Sequence, residues 1–134
     1  MGLDKAMIVA GVGCKRGAPA SDIEAAIRAA LSRADIGADA LDGIATIVAK
    51  SSEIGIQAAA ERLGVAIVLV HQADLQAAEP RTQTRSERVH RLTGMSSVAE
   101  AAALAAAGPS ARLIAPRLVI GAATCALAAS EPAP

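Results

Sequence analysis

Short apolar runs alternate with amphipathic stretches along the first half of the chain. Residues 6–12, 43–50 and 65–70 are mostly apolar, which is typical of short strands buried on both faces. Residues 21–34 and 51–63 place apolar side chains every three or four positions, as helices with one buried face do. This order of strands and helices predicts a three-layer α/β/α fold whose central strands are parallel.

The pattern changes in the second half of the chain. Residues 76–91 contain few apolar side chains, and we predict a long loop, which in a compact domain is usually functional or disordered. Its arginines are Arg81, Arg85, Arg88 and Arg91. An alanine-rich helix is predicted at residues 97–107, ended by Gly108. Two strand-like pieces around Gly121 predict a final antiparallel pair, which gives a mixed, mainly parallel sheet of about five strands.

Two capping boxes are consistent with the predicted helix starts. Ser21 is followed by Glu24, and Ser97 by Glu100, at the spacing at which both side chains bind the free N–H groups of a first turn. We assign residues 1–130 to a single domain and residues 131–134 to a flexible tail.

Composition excludes several classes of function. The 134 residues include 13 basic and 13 acidic side chains and no Phe, Tyr or Trp, so we expect no nucleic-acid binding. No apolar stretch approaches the roughly 18 residues that span a bilayer, and the N-terminus lacks a signal-peptide pattern, so no membrane role is expected. Two scattered cysteines, Cys14 and Cys125, suit a reducing compartment, and we predict a cytoplasmic protein.

The loop after the first strand, GVGCKRG, combines three glycines, two cations and a thiol. A dinucleotide-binding loop needs G-x-G-x-x-G and an acid after the second strand, but Gly17 comes one place late and that strand ends at Lys50. The phosphate-binding pattern fails because Lys15 precedes Gly17. Two interpretations stay open, namely a structural turn, or an anion-binding loop of backbone N–H groups with Lys15 and Arg16.

The Cys14 thiol also allows two interpretations. Lys15 and Arg16 would lower its pKa and make it a nucleophile, for which His71, at the end of the third strand, is the available base. No sequence pattern connects His71 to Cys14, so a small buried cysteine is the favoured interpretation. The histidines and cysteines lack the spacing of metal ligands, and we expect neither a metal nor a cofactor.

Polar segments follow each of the three predicted parallel strands. Residues 14–17, 50–53 and 71–72 should therefore meet at the carboxyl edge of the sheet, where open α/β proteins bind ligands. Helix capping is the alternative explanation for the Ser-Ser pairs at 51–52 and 96–97.

Four motifs together resemble a known family. They are GVGCKRG (11–17), IATIVAKSSEIG (44–55), GMSSVAEAAAL (94–104) and LIAPRLVIGAATCALA (113–128). Their order and spacing over residues 7–128 resemble CobE and the C-terminal domain of CbiG in cobalamin biosynthesis, and the chain resembles the stand-alone CobE form. The resemblance implies a three-layer α/β/α fold and a role in building the corrin ring. In this family CbiG proteins hydrolyse a ring lactone, whereas CobE-like proteins have no assigned chemical step.

The resemblance implies an anionic precorrin or corrinoid intermediate as the ligand. Such a ring carries acetate and propionate arms, which require spaced cations, N–H donors and an apolar wall. The cations expected to bind these arms are Lys15, Arg16, Lys50 and Arg117. The other expected ligand-binding residues are Gly13, Cys14, Gly17, Ser51, Ser52, Ser96 and Ser97.

Three functions follow from the resemblance. We favour a binding protein that hands on the intermediate unchanged, because no nucleophile–base pair stands out. The alternative is a lactone hydrolase, with Glu53 or Glu100 as general base and Lys15 or Arg16 stabilising the oxyanion. The third is a docking module that contacts a methyltransferase or another enzyme of the pathway through the arginine-rich loop at 76–91.

Overall fold

The computed structural model describes residues 7–82 and 98–130. In chain order the elements are β1 (Ile8–Cys14), α1 (Ala20–Arg33), β2 (Gly43–Ile47), α2 (Ile54–Leu63), β3 (Ala66–Val70), α3 (Gln72–Ala78), α4 (Val98–Ala107), β4 (Arg112–Ile120) and β5 (Ala123–Ala129). Short 3₁₀ turns occupy Ala38–Ala40, Val48–Lys50 and Glu79–Arg81. Within the described residues, no helix has the length and apolar content needed to cross a membrane.

The five strands form one mixed sheet in the order β3-β2-β1-β5-β4. β1, β2 and β3 are parallel, and β5 runs antiparallel between β1 and β4. β1 pairs with β5 along its whole length, from Ile8 opposite Ala129 to Cys14 opposite Ala123. The predicted sheet, with parallel strands first and an antiparallel pair last, is confirmed.

Helices cover both faces of this sheet. Ile23 and Ile27 of α1 and Ile56 of α2 belong to the core on one face. Leu75 of α3 and Leu104 of α4 belong to the core on the other, together with the alanines of α4. Because each helix buries its apolar face against the sheet, the result is the predicted three-layer α/β/α architecture.

Helix α4 lies directly against the backbone of β1. A Cβ atom at Gly11 would collide with the carbonyl oxygen of Ala99 and with Ala103, both on α4. Only small side chains permit so close an approach in a packed core. β1 is therefore held between α4 on one face and the α1 core on the other, and this determines where its carboxyl end projects.

The start of α1 differs from the prediction. The helix begins at Ala20, behind Pro19, and no side chain caps it, so the capping box predicted at Ser21 and Glu24 is wrong. Ser21 already lies within the first turn, and the Pro19 carbonyl accepts the N–H of Asp22. Glu24 instead forms ion pairs within α1 and across to α2.

Two other predicted boundaries move. β2 ends at Ile47, because the next three residues form a 3₁₀ turn. The loop predicted at 76–91 is wrong for its first residues, since α3 continues to Ala78, which is buried. Arg81 follows in a 3₁₀ turn and donates hydrogen bonds to the carbonyls of Gly108 and Ala111, so its guanidinium is already used within the fold.

The described residues exclude 83–97, and with them Arg85, Arg88, Arg91, Ser96 and Ser97.

We expect Gly11→Ala to lower the free energy of unfolding by about 1–3 kcal/mol, the usual cost of forcing an extra carbon into a packed core. The new Cβ has no room, because the Ala99 carbonyl belongs to the α4 backbone. Urea unfolding followed by circular dichroism measures the change.

Gly43→Ala is the matched control for this experiment. Gly43 is also buried in a strand, but its Cβ would meet its nearest neighbour at 3.5 Å, an ordinary contact. Equal losses of stability in the two variants would contradict the close contact between α4 and β1.

Candidate functional site

Loops from three parts of the chain meet at one edge of the sheet. β1 ends at Cys14 opposite Ala123, so the β4–β5 turn at Gly121 lies beside the loop that follows β1. On its other side this loop contacts the segment that enters α2 through Glu53. We call this edge the carboxyl rim and define it as residues 13–20, 48–58 and 119–124.

Hydrogen bonds hold the loop of residues 15–17 from both sides. The Lys15 N–H donates to the carbonyl of Ala122 at 2.9 Å, and the Gly17 N–H donates to Oε1 of Glu53 at 3.0 Å. The N–H of Ala122 in turn donates to Oδ2 of Asp22 at 3.0 Å. These contacts fix the loop relative to both neighbouring segments of the rim.

Cys14 is half-buried at the end of β1. Burial raises the pKa of its thiol, the positive charge of Lys50 opposes this rise, and the negative charge of Glu53 adds to it. The thiol is therefore protonated at neutral pH, and the lowered pKa considered from the sequence is wrong. His71 follows β3, two strands away from β1 in the sheet, or about 10 Å at the usual strand spacing, so it is not placed to deprotonate Cys14.

Three of the four predicted cations lie on the carboxyl rim. Lys15 and Arg16 are exposed, and Lys50 is half-buried, close enough to the Cys14 thiol to affect its pKa. Among residues 7–82 and 98–130 none of the three cations forms an ion pair. The exposed hydroxyls of Ser51 and Ser52 lie on the same segment as Lys50. The charges of the three cations are therefore not paired within the described part of the chain.

Two depressions flank the loop of residues 15–17. A groove of about 400 Å³ lies between the N-terminal ends of α1 and α2 and is lined by residues 17–20, 52–55 and 58. A small hollow of about 200 Å³ lies on the other side and is lined by residues 13–15, Val119 and residues 121–124. The rim therefore combines unpaired cations with partly apolar concave surface.

Glu100 and Arg117 lie away from these groups. Glu100 is fully buried on α4, and its Oε2 accepts the N–H of Arg117 at 2.8 Å. The β4–β5 register shifts between Ala115 and Leu118, so this carboxylate binds an N–H group in an irregular part of the strand. Arg117 precedes the end of β4 by three residues, about 10 Å of strand. The structure does not bring Glu100 or the Arg117 backbone to the rim.

Comparison with known proteins identifies the family. Residues 8–128 match the family described as cobalamin synthesis G C-terminus. The chain belongs to this family. It is 38% identical over 121 residues to protein CobE of Sinorhizobium sp, and the alignment covers 90% of this chain and 79% of that protein. The chain is thus a cobalamin biosynthesis protein of the CobE/CbiG type, as the four motifs predict.

Two solved structures share its fold. CobE, described as a protein from the cobalamin (vitamin B12) biosynthetic pathway, matches with a TM-score of 0.89 at 34% identity, covering 100% of this chain and 98% of that one. The cobalamin biosynthesis protein chiG from Agrobacterium tumefaciens str. C58 matches with a TM-score of 0.74 at 42% identity, covering 93% and 99%. These matches agree with the α/β architecture described above.

Two side chains support the rim of this CobE-type domain although the sequence did not indicate it. Asp22 binds the N–H of Ala122, and the Thr124 hydroxyl donates to the Gly13 carbonyl at 3.2 Å. The partners are 100 and 111 positions apart along the chain, so no local spacing connects them. An acid in the first helical turn indicates only a favourable interaction with the helix dipole.

We expect Asp22→Ala to lower the free energy of unfolding by about 1.5–3 kcal/mol, the usual value of a hydrogen bond to a charged group. The carboxylate holds the N–H that follows Gly121, whose φ of +55° is a conformation that glycine adopts readily. Chemical denaturation measures the change.

Ser21→Ala is the control, because Ser21 is the neighbouring exposed residue and does not cap α1. Its effect should stay within about 0.5 kcal/mol, as for ordinary surface positions. A larger loss for Ser21→Ala than for Asp22→Ala would restore the capping box and contradict the structure.

We expect the pH midpoint for alkylation of Cys14 by iodoacetamide to lie above that of free cysteine, because burial raises the thiol pKa. Lys50→Ala should move the midpoint further up, since it removes a charge that stabilises the thiolate. Glu53→Gln should move it down, since it removes a charge that destabilises the thiolate. Mass spectrometry of the alkylated peptide at a series of pH values measures the midpoint, and rapid alkylation at pH 7 would show that Cys14 is activated after all.

Proposed function

We propose that this CobE/CbiG family member binds an anionic precursor of the corrin ring at the carboxyl rim and hands it on unchanged. One observation carries the proposal. Lys15, Arg16 and Lys50 lie on the rim within two residues of Gly17 or Ser52, which line a groove of about 400 Å³, and among the described residues these cations form no ion pair. Cations left without an internal partner at a concave surface are available to an anionic ligand.

The chemistry of the rim suits a flat ring with acidic arms. Carboxylates bind ammonium and guanidinium groups through charge-assisted hydrogen bonds, and the exposed hydroxyls of Ser51 and Ser52 are additional donors. Ala18, Pro19 and Ile54 line the groove and provide an apolar wall. With no aromatic residue in the chain, the ring would be held at its edge and by its arms rather than by stacking.

The family narrows the class of anion. The family and two similar solved proteins are described by their role in cobalamin biosynthesis, and an acidic corrin precursor is the anion of that pathway with the chemistry that the rim suits. For this reason we propose a precorrin-type ring rather than a nucleotide or a phosphate.

A lactone hydrolase is the second candidate function. One observation favours it, since Glu53 lines the groove and, like Lys50, lies close enough to the Cys14 thiol to affect its pKa. However, Oε1 of Glu53 already accepts the Gly17 N–H, and the Cys14 thiol is protonated. Glu100, the other predicted base, is buried against β4. Both predicted bases thus already accept a backbone N–H, and only Glu53 lies on the rim, so binding alone is the better proposal.

Titration with hydrogenobyrinic acid tests the binding proposal. We expect Lys15→Ala/Arg16→Ala to raise Kd about tenfold or more, because two charge-assisted contacts are lost. Binding should also weaken between 0.1 and 1 M salt, as the screening length falls from about 10 to about 3 Å. Absorbance of the corrin chromophore measures the titration.

Arg33→Ala/Arg62→Ala is the control, since it removes two exposed positive charges at the C-terminal ends of α1 and α2, of which Arg62 also forms an ion pair with Glu24. Its Kd should equal that of the wild type. Equal affinities for both double variants, or no binding by the wild type, would refute the proposal. Incubation of the wild type with a lactone-bearing precorrin, followed by mass analysis, tests the second candidate, and release of acetaldehyde would establish it.

A further inference from the structure

The two depressions on the carboxyl rim differ in charge as well as in size. Among the described residues, Lys15 is the charged side chain that lines the small hollow. The Asp22 carboxylate does not line it but binds the N–H of Ala122 in its wall. The groove has the opposite character, because Glu53 is the charged residue in its lining. Arg16 lines neither depression. A ligand with several identical acidic arms would therefore meet attraction on one side of the loop at 15–17 and repulsion on the other.

The small hollow suits a single carboxylate arm. Its volume of about 200 Å³ is below the roughly 300–1,000 Å³ of sites that enclose a drug-sized ligand, so a whole macrocycle does not fit. Val119 on its wall is 53% exposed and could cover the methylene carbons of an arm. Lys15 is placed to bind the carboxylate at the end of that arm.

The groove suits an apolar part of the ligand. Ile54, the first residue of α2, is 77% exposed and lines this groove with Ala18 and Pro19. The Glu53 carboxylate is held there by the Gly17 N–H, so it cannot turn away without losing that bond. A second carboxylate in the groove would lie beside this fixed negative charge and be repelled.

We infer that the rim holds its ligand edge-on across the loop at 15–17. One acidic arm of the ligand lies in the small hollow beside Lys15, and an uncharged edge of the ring lies against Ile54. Glu53 sets this orientation by excluding carboxylates from the groove. The inference rests on the proposed function and adds to it the orientation of the ligand and a specificity-determining residue. The ligand class is a polycarboxylate ring that presents a charged arm next to an uncharged edge.

Four single variants titrated with hydrogenobyrinic acid test this inference. Lys15→Ala should weaken binding several-fold more than Arg16→Ala, because only Lys15 lines a depression. Ile54→Ser should raise Kd by about fivefold, the effect of losing part of the burial of one apolar side chain. Glu53→Gln keeps an oxygen for the Gly17 N–H and removes the charge, so it should lower Kd by about threefold.

Matched controls separate local from general effects. Met7→Ser removes an exposed apolar side chain before the start of β1, at the opposite edge of the sheet, and Glu61→Gln removes an exposed charge near the C-terminal end of α2. Both controls should bind as the wild type does. Circular dichroism should show that all six variants fold.

The outcomes distinguish this inference from the proposed function. If Lys15→Ala/Arg16→Ala abolishes binding while Ile54→Ser and Glu53→Gln leave Kd unchanged, the rim binds the ring but the edge-on orientation is wrong. Equal effects of Lys15→Ala and Arg16→Ala would also overturn the inference. Absence of binding by the wild type would refute the proposed function itself.

Discussion

Every part of the carboxyl rim is positioned through β1, and β1 is positioned by the close packing of α4 on its backbone at Gly11. There the Ala99 carbonyl and Ala103 occupy the space of a side chain. β1 is also the central strand, paired with β2 on one side and with β5 on the other. A chain without aromatic residues builds its core from alanine and aliphatic side chains, which lets helix and sheet approach closely and leaves little freedom to shift.

The rim depends on this strand because its loop is the continuation of β1. Backbone groups of Lys15 and Gly17 bind the β4–β5 turn and Glu53, so the polar groups of the loop are used for structure while the cationic side chains remain exposed. The resulting distribution of charge is uneven, with a lysine on one side of the loop and a fixed carboxylate on the other. In the function proposed above, this uneven distribution, more than the number of cations, would orient the ligand.

Much of the fold could be predicted because the relevant signals are local. Neighbouring residues alone set the spacing of apolar side chains in each strand and helix. They also set the end of α2 at Gly64 and the turn at Gly121. The prediction was wrong where a local signal competed with another. Helix α1 begins directly after Pro19, so Ser21 lies inside its first turn and not at its cap. Helix α3 extends into a stretch that is polar on average because Leu75 and Ala78 are buried. Two effects also compete at Cys14, where burial raises the pKa of the thiol by more than the positive charge of Lys50 lowers it.

For the candidate site, residue order alone was sufficient to place Lys15, Arg16, Lys50 and Glu53 together, because parallel strands end at a common edge. The same order could not reveal that Arg117 begins about 10 Å below that edge, that Glu100 supports β4, or that Asp22 holds a turn 100 positions away. Element order follows from patterns within a few residues, and family membership follows from the order and spacing of four short motifs along the chain. The separation of the rim into an attractive and a repulsive side arises from contacts between distant segments, and those exist only once the sheet has brought the segments together.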